Sequence, residues 1–561
     1  MEDIMKKTFL LFILALCSLA LFAQNEDWLW AKQAGGISGD KGYSIAVDAY
    51  GNSYITGYFR ESATFGTTTL TSSSDYGSDI FVAKMDINGN WLWAKQAGGT
   101  DYHGGYGIAV DANGNSYVTG YFSGSATFGT TTLTSSGYDD IFVAKLDSSA
   151  NWLWAKQAGG TSSDIGYGIA VDAYGNSYVT GYFKSSSCSF GTITLTSSGY
   201  EDIFVAKLDI NGNWLWAKQA GGTSEDGGTS IAVDANGNSY VTGSFKESAN
   251  FGTTTLTSSG SWDIFVAKID HNGNWLWAKQ AGGTDNDGGI SIAVDDNGNS
   301  YVTGGFYGSS CSFSTITLIN SSIEYSDIFV AKIDYNGNWL WAKQAGGTGY
   351  DAGYGIAVDT NGNSYVTGEF DGSATFGTTT FTSSGGSDIF VAKLDSNGNW
   401  LWAKQAGGTD DDYGKGIAVD NNGNSYVTGY FWSSATFGTT TLTSSSDYGS
   451  DIFVTKLGEV NSIDLPDIIS FSGIRSIYPN PFNPLTTIDY EISMPADVKI
   501  EVYNNRGQLV RNFILGYKEQ GSYKLTWEGE DNNGCLCSSG IYYIRMQAGK
   551  KIYIKKAVLL K

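Results

Sequence analysis

The sequence predicts an all-β protein: a seven-bladed β-propeller closed by pairing of its N-terminal strand with the last blade, followed by a small Ig-like β-sandwich. A nonapeptide, Trp-Leu-Trp-Ala-Lys-Gln-Ala-Gly-Gly, recurs at intervals of 61 to 64 residues. Glycine is abundant at 75 residues, proline is rare at 5, and 14% of the residues are aromatic, which suits short strands joined by tight turns. The seven copies begin at Trp28, Trp91, Trp152, Trp214, Trp275, Trp339 and Trp400.

The segment before the first copy has the pattern of a secretory signal peptide. Lys6 and Lys7 precede an apolar run from Phe9 to Phe22, which ends at Ala23-Gln24. The run is too short for a comfortable membrane span. We therefore expect residues 1–23 to be a signal peptide, and we expect no membrane span in the mature chain.

Each copy contains four extended segments, the number of strands in a propeller blade. In the second copy these segments are residues 91–97, 107–111, 115–122 and 140–147. The turn at 111–115 reads Asp-Ala-Asn-Gly-Asn, and Asn-Gly readily adopts the positive φ of a tight hairpin. Four antiparallel strands in about 60 residues match one blade. The seven copies therefore predict one propeller over residues 24–457.

The phase of the repeat predicts how the ring closes. The body begins with a Trp-Leu-Trp strand and its last copy ends with the strand at residues 451–457. The first strand therefore lacks a preceding strand to pair with, and the last strand lacks a following one. We expect residues 28–33 to form the outer strand of the last blade. That pairing removes the exposed strand edges that an open stack would carry.

The repeats resemble a known bacterial family. Residues 107–120 fit Gly-Ile-Ala-Val-Asp-x-x-Gly-Asn-x-Tyr-Val-Thr-Gly, and residues 140–145 read Asp-Ile-Phe-Val-Ala-Lys. These motifs resemble the bacterial beta-propeller repeat called SBBP, over residues 27–457. The resemblance implies a propeller and implies no activity.

The tail has a different pattern. A linker at 458–475 leads into residues 476–561, and four of the five prolines lie between Pro466 and Pro484. Strand-like runs follow at 487–492, 498–504, 508–513, 522–527, 541–547 and 551–560. That number of strands in 86 residues predicts a small Ig-like sandwich.

The tail also resembles an export domain. The tail is similar to the type A C-terminal sorting domain of the type IX secretion system, a family that overlaps with the Ig-like domain of flagellar hook-capping proteins. The matching residues are 478–484, Val502-Tyr503 with Arg506-Gly507, 527–529, 539–542 and 556–561. The resemblance implies that residues 476–561 engage the type IX secretion machinery, and that the protein reaches the surface or the medium through the periplasm. Asn504 and Asn505 stand where relatives commonly have Asp. The alternative is an ordinary accessory Ig-like module.

The charge excludes some partners. The chain carries a formal charge of -23; residues 476–561 hold 11 basic and 8 acidic residues, which leaves -26 upstream. Such a surface repels phosphate backbones, so we expect neither nucleic-acid binding nor binding to anionic membranes.

The tryptophans and the Asp turns each have a structural and a functional interpretation. The Trp pairs could stack on sugars, but burying about 200 Å² each, worth about 5 kcal/mol gross, favours core packing. The Asp-x-Asn-Gly-Asn turns resemble the start of a calcium loop. Their Gly falls at the fourth position instead of the sixth and the terminal Glu is absent, so we interpret Asp111 and Asp209 as turn formers. We predict no metal and no cofactor.

One position between each Gly-Gly pair and the next strand carries an acid in six copies and a histidine in one. The set could form a ring that holds a cation or a polar ligand around the central channel. Alternatively, each Asp accepts backbone N–H bonds and fixes its own loop, the interpretation that we favour because a binding site usually breaks repeat symmetry. The set is Asp40, His103, Asp164, Asp226, Asp287, Asp351 and Asp412.

Residues that break the repeat are the second group of binding candidates. His103 is one; Tyr138, Tyr200 and Trp262 lie just before the last strand of their blades, and Trp432 is a unique aromatic residue of the last copy. Aromatic side chains beside an acidic rim suit a neutral glycan or an extended peptide.

These features predict a non-catalytic binding or adhesion module at the cell surface or in the medium. A self-associating structural surface component is the alternative, supported by the near identity of the copies. An enzyme acting on polysaccharide is less favoured, because the chain has only two His and no acid pair or nucleophile stands out, so we name no catalytic residue.

Overall fold

The computed structural model describes residues 26–74, 76–446, 449–459, 473–492, 495–519, 521–549 and 551–560. The predicted signal peptide and most of the predicted linker lie outside these residues. The chain forms two compact units, Met1–Glu459 and Val460–Lys561. All regular elements in the described residues are β-strands.

No helix in the described ranges has the length and apolar character needed to cross a membrane.

The first unit is a propeller of seven blades, each with four strands that run outward from the centre. The strands follow chain order in six blades, and in the seventh the outermost strand is the first strand of the propeller. In blade 5 the outer strand also pairs, through Gly346 and Gly347, with the hairpin of blade 6. We number the blades by their innermost strands, which are Lys41–Val47, His103–Val110, Asp164–Val171, Asp226–Val233, Asp287–Val294, Asp351–Val358 and Asp412–Val419. The second strands are Ser53–Phe59, Ser116–Phe128, Ser177–Phe183, Ser239–Phe251, Ser300–Phe306, Ser364–Phe370 and Ser425–Phe431. The third strands are Asp79–Met85, Thr131–Leu146, Asp202–Leu208, Thr254–Ile269, Asp327–Ile333, Asp388–Leu394 and Asp451–Glu459. The outer strands are Trp91–Ala97, Trp152–Ala158, Trp214–Ala220, Trp275–Ala281, Trp339–Gly347, Trp400–Ala406 and Glu26–Ala34.

The predicted closure is confirmed. Glu26–Ala34 pairs antiparallel with Asp451–Glu459, with Ala31 opposite Thr455 and Gln33 opposite Phe453. The seventh blade thus takes its outer strand from the start of the propeller. A buried ion pair ties this closing strand to blade 6, since Lys393 Nζ lies 3.0 Å from Glu26 Oε1.

A hairpin joins the second and third strands of every blade. In blades 2 and 4 it continues the two strands directly. Ala126, Phe128 and Leu133 are buried in blade 2, and this alternation makes the segment a covered hairpin instead of an open loop. In the other blades the hairpins are Ser62–Phe65 with Thr68–Thr71, Ser187–Phe190 with Ile193–Thr196, Ser310–Phe313 with Ile316–Ile319, Ser373–Phe376 with Thr379–Thr382, and Ser434–Phe437 with Thr440–Thr443.

The Trp-Leu-Trp motifs pack the blades together, as predicted. Trp91 lies edge-on to Phe65 of the hairpin, with ring centroids 5.2 Å apart. Trp154 donates from Nε1 to the carbonyl of Ile210, in a turn of the next blade, at 3.1 Å. The tryptophans are therefore partly buried against hairpins and neighbouring blades.

The second unit is the predicted Ig-like sandwich of two antiparallel sheets. One sheet contains Gly473–Tyr478, Thr486–Ile492 and Gly521–Trp527, and the other contains Leu509–Lys518, Ala496–Asn504, Gly540–Ala548 and Lys551–Leu559. Trp527, Ile500 and Ile544 are buried between them.

Candidate ligand-binding site at the mouth of the central channel

A β-bulge in every inner strand aims one side chain into the central channel. The pairing between Lys41–Val47 and the second strand skips Tyr43, because the register shifts between Gly42 and Ser44. The same shift recurs in the other six blades. Bulges characteristically redirect a side chain in this way. We call the seven bulge residues the channel mouth; they are Tyr43, Tyr106, Tyr167, Thr229, Ile290, Tyr354 and Lys415.

The channel mouth lines a cavity of about 460 Å³, together with Ser44, Ser230 and Ser291 from the next position along the strands. This volume lies in the range of small-ligand sites. The side chains at the bulge position differ between blades, whereas the Ile-Ala-Val that follows is the same in all seven inner strands, and its Ile also lines the cavity in five of them. The cavity is therefore asymmetric in a symmetric scaffold.

Blades 1 to 3 form an aromatic wall. The rings of Tyr106 and Tyr167 stack at 5.3 Å with an interplanar angle of 24°, and Tyr43 lies edge-on to Tyr106 at 5.1 Å. Each packs on a second tyrosine of its own blade: Tyr58, Tyr121 or Tyr182. The wall offers ring faces together with phenolic hydroxyl groups.

Blades 4 and 5 leave the opposite side open. Ser244 and Gly305 stand where blades 1 to 3 have the second tyrosine. A Cβ atom added at Gly227 or Gly288 would meet no atom within 4 Å. Small residues thus leave room for a ligand to extend out of the cavity.

Blades 6 and 7 place a partly buried lysine beside a buried glutamate. Lys415 Nζ lies 3.3 Å from the centroid of the Tyr354 ring, and the Tyr354 hydroxyl donates to Glu369. Burial lowers the pKa of Lys415 to about 8, although the charge of Glu369 opposes that shift. Burial also raises the pKa of Glu369. The channel mouth therefore contains a partly desolvated ammonium group.

A basic groove adjoins the channel mouth between blades 7 and 1. We define this basic groove by Lys41, Tyr58, Arg60 and Trp432, which line a cavity of about 410 Å³. Lys41 Nζ lies 4.3 Å from the Tyr430 centroid, and Trp432 lies edge-on to the same ring at 5.3 Å. Burial and the nearby Arg60 lower the pKa of Lys41. Trp432 is the sequence-predicted candidate that the structure places at this site.

The predicted ring of acids is not gathered around the channel. Asp164 is buried, and its carboxylate accepts from the N–H groups of Gly160 at 2.8 Å and Lys184 at 3.0 Å. These are the bonds of the loop-fixing interpretation. None of the six aspartates lines the channel cavity. The other five, each with a corresponding bond from the second Gly of its Gly-Gly pair, are Asp40, Asp226, Asp287, Asp351 and Asp412.

His103 takes the same buried position in blade 2. It is 0% exposed, and neither ring nitrogen has a hydrogen-bond partner among the residues that the structure describes. Burial lowers its pKa to about 4, which keeps the imidazole neutral. It does not line the channel cavity.

The other aromatic candidates stay apart. Tyr138 and Tyr200 are 74% and 68% exposed, and Trp262 is half-buried opposite Lys246. Each belongs to a different blade, and none lines the channel cavity or the basic groove. The structure does not bring these three residues into one site.

The Asp-x-Asn-Gly-Asn turns are held by their own carboxylates. Asp111 Oδ1 accepts from the N–H groups of Asn113 and Asn115, each at 2.9 Å, and Oδ2 accepts from the Asn115 amide at 2.8 Å. Both oxygens thus serve the turn, the role predicted for them. Within the described ranges, no group of three or more His, Cys, Asp or Glu is placed to hold a metal ion.

Sequence reasoning missed the channel mouth itself. Its signal was available, because the residue three positions after each acid varies between Tyr, Thr, Ile and Lys in otherwise similar copies. Nothing in one copy shows that a bulge turns this residue inward.

Comparison with known families gives the repeats their identity. The family model described as the SBBP beta-propeller repeat matches seven segments, residues 29–58, 92–121, 153–182, 215–244, 276–304, 340–369 and 401–433. The chain carries seven SBBP beta-propeller repeats. Each SBBP segment spans the outer strand of one blade and the two inner strands of the next, and so includes the bulge. The FlgD Ig-like domain model matches residues 484–551 of the tail.

The relatives that this chain matches are distant. An uncharacterized WD repeat-containing protein of Acanthamoeba polyphaga mimivirus is 26% identical over 502 residues, covering 72% of this chain and 36% of that protein. Regulatory protein FlaEY of Caulobacter vibrioides is 28% identical over 321 residues, and the match covers 52% of this chain and 33% of that protein. The chain thus spans about a third of the length of these curated relatives.

Among solved structures, PorZ of Porphyromonas gingivalis, described as a surface component of the type-IX secretion system, is similar at 13% identity and a TM-score of 0.28. The match covers 94% of this chain and 75% of PorZ. A likeness at this score carries no argument about function.

Proposed function

We propose that this protein is an exported, non-catalytic binding module whose ligand occupies the channel mouth. The observation that carries the proposal is the loss of repeat symmetry at the bulge position. Neighbouring positions that pack the blades are constant, whereas the bulge residues at the cavity form an aromatic wall, an open side and a partly buried lysine. Variation confined to a concave site is typical of recognition.

The chemistry of the channel mouth favours binding over catalysis. Glycoside hydrolysis uses two carboxyl groups across a bond. The acid beside this cavity, Glu369, is 3% exposed and already accepts a bond from Tyr354. The side chains that line the cavity offer ring faces, hydroxyl groups and one amine.

Replacing Tyr106 and Tyr167 together by Ala tests the binding role. We expect the full chain to retain ligands on glycan and peptide arrays, and the double variant to lose at least about tenfold in affinity because the stacked wall is removed. Titration calorimetry of the selected ligand measures the loss. Tyr174→Ala is the control, since Tyr174 is 80% exposed in a turn beyond the far end of the same inner strand.

The same preparation distinguishes the structural alternative. A self-associating surface component should form larger species as concentration rises, which sedimentation velocity detects. Concentration-dependent assembly together with unchanged affinity in the double variant would contradict the binding proposal.

We propose that the tail delivers the protein to the type IX secretion machinery and hence to the surface or the medium. The FlgD-like match, a compact unit separate from the propeller and the leader-like residues 6–24 support this route. The charge supports it as well, because the tail is mildly basic while the body is acidic.

Deleting residues 476–561 should strand the protein in the periplasm of a host that has this secretion system. Fractionation and immunoblotting measure the distribution, and we expect export to fall by at least about tenfold, since the sorting signal is removed. As the reciprocal control, the same residues fused to a periplasmic reporter should carry it out. Unchanged export of the deleted chain would leave the tail as an accessory Ig-like module.

A further inference from the structure

We propose that the channel mouth and the basic groove together bind an anionic glycan, a sugar chain that carries carboxylate groups. This inference rests on the proposed function and names the ligand class for the same site. The juxtaposition that carries it is three cations, Lys41, Arg60 and Lys415, that form no ion pair with any described residue, beside an aromatic wall.

The three cations lie close enough to repel one another. Arg60 lowers the pKa of Lys41, and Lys41 lowers that of Lys415, in both cases after the larger effect of burial. In the described residues, none of the three has a carboxylate within ion-pair distance. Glu369 influences Lys415 electrostatically, but its carboxylate accepts the Tyr354 hydroxyl. The site thus presents net positive charge in an acidic body.

In blades 3 and 4 the cation at the position equivalent to Arg60 is paired with an acid. Lys184 in blade 3 lies 3.2 Å from Glu201, and Lys246 in blade 4 lies 3.4 Å from Glu225. In blade 1 the residues at those two acidic positions are Ser78 and Gly39. The two acids that pair with the lysines of blades 3 and 4 therefore have no counterpart at those positions in blade 1, and among the described residues the Arg60 guanidinium interacts with the Asp40 carboxyl only beyond ion-pair distance.

Leaving ammonium groups partly buried without partners costs free energy, which a bound anion recovers. Lys41 and Lys415 are both partly buried, and the ring of Tyr430 lies between 4 and 6 Å from each ammonium group, at 4.3 and 5.7 Å. Ring faces stabilise these cations only in part. The site is therefore preorganised for a carboxylate.

The cavity walls favour a sugar over a peptide. Strand addition needs a free strand edge. Ser44 Oγ already accepts from the N–H of Ile108, and Ser230 Oγ accepts from that of Ile292, each at 3.3 Å. The stacked pair Tyr106 and Tyr167 instead offers ring faces and hydroxyl groups, which match the apolar faces and hydroxyl groups of sugar rings.

Calorimetric titration of the full chain with short oligogalacturonides, and with the same oligomers fully methyl-esterified, tests the proposal. Esterification removes the charge and keeps the sugar rings. We expect the acid form to bind at least about tenfold more tightly at low salt, and the difference to shrink as salt screens the site.

Charge-removing variants locate the effect. Lys41→Gln and Arg60→Gln should each weaken binding of the acid form by at least about fivefold and leave binding of the ester within about twofold. Lys184→Gln is the matched control, because the same position in blade 3 is already neutralised by Glu201, and we expect a change below about twofold.

The outcomes separate the two proposals. If the acid and the ester bind with equal affinity, and replacing the tyrosines weakens both, the ligand is not selected for its negative charge. The binding function is then retained and the anionic ligand class is overturned. Tighter binding of oligoglutamate than of oligogalacturonide, with loss in Lys41→Gln, overturns the glycan in favour of an acidic peptide. If no ligand on either array binds the full chain, and the tyrosine variants show no change in binding, the binding function itself is overturned.

Discussion

Replacing Glu26 by Ala is expected to lower the free energy of unfolding of the propeller by about 3–5 kcal/mol, because it leaves a buried ammonium group without its partner. Lys393 and Glu26 are both buried, and their charged atoms lie 3.0 Å apart. The pair joins the closing strand to blade 6, so its loss acts at the junction that makes the ring continuous. Denaturant unfolding followed by tryptophan fluorescence measures the change.

Two further variants separate the buried charge from the strand itself. Asp27→Ala removes an exposed, longer contact, 3.9 Å from Lys404, and should cost less than about 0.5 kcal/mol. Combining Glu26→Leu with Lys393→Met removes both charges and should restore most of the lost stability. Equal losses in Glu26→Ala and Asp27→Ala would show that the buried pair has no special role.

Acidification from about pH 9 to about pH 5 is expected to raise the melting temperature of the propeller by at least about 5 °C. Burial raises the pKa of Asp40, Asp351 and Asp412 from 3.8 to about 8, and that of Asp287 to about 7. Repulsion from neighbouring acids adds to the effect, as between Asp412 and Asp388.

The sign follows from proton linkage. Between 3.8 and about 8 the folded chain binds protons at these sites that the unfolded chain has released. Their contribution to stability is therefore fully present below the unfolded pKa and is lost as pH rises through the folded pKa. Paired carboxylates, whose pKa values are lowered, lose their contribution only below about pH 5, so they do not oppose this trend.

Differential scanning calorimetry across this pH range checks the expectation. Asp412→Asn should flatten the pH dependence, because it removes one titrating group from the window. Asp147→Asn is the control: its pKa is lowered by hydrogen bonds from Asn151, so it stays ionised throughout the window. A melting temperature that falls between about pH 8 and about pH 5 would refute the linkage.

Much of the fold could be predicted from the sequence because its determinants are local and repeated. Trp-Leu-Trp marks every outer strand, and Asp-x-x-Gly-Asn marks every turn between the inner two strands. Counting the first gave seven blades. The order of elements at the two ends required residues 28–33 to lie beside residues 451–457, as they do.

The site could not be predicted in the same way because it depends on register and on neighbours distant in sequence. A bulge one residue long decides that Tyr43, and not Asp40, faces the channel. Whether a cation is compensated depends on side chains that chain folding brings together, as Lys184 meets Glu201 while Arg60 meets no such acid among the described residues.

The sequence by itself determined the seven-bladed body, its closure and the separate Ig-like tail, since hydrophobic periodicity and turn chemistry act within each repeat. Only the tertiary structure decided which seven side chains share the channel and which charges remain unpaired there. The physical reason is that a channel is formed by one residue from each of seven strands about 60 positions apart, so its chemistry exists only after the ring has closed.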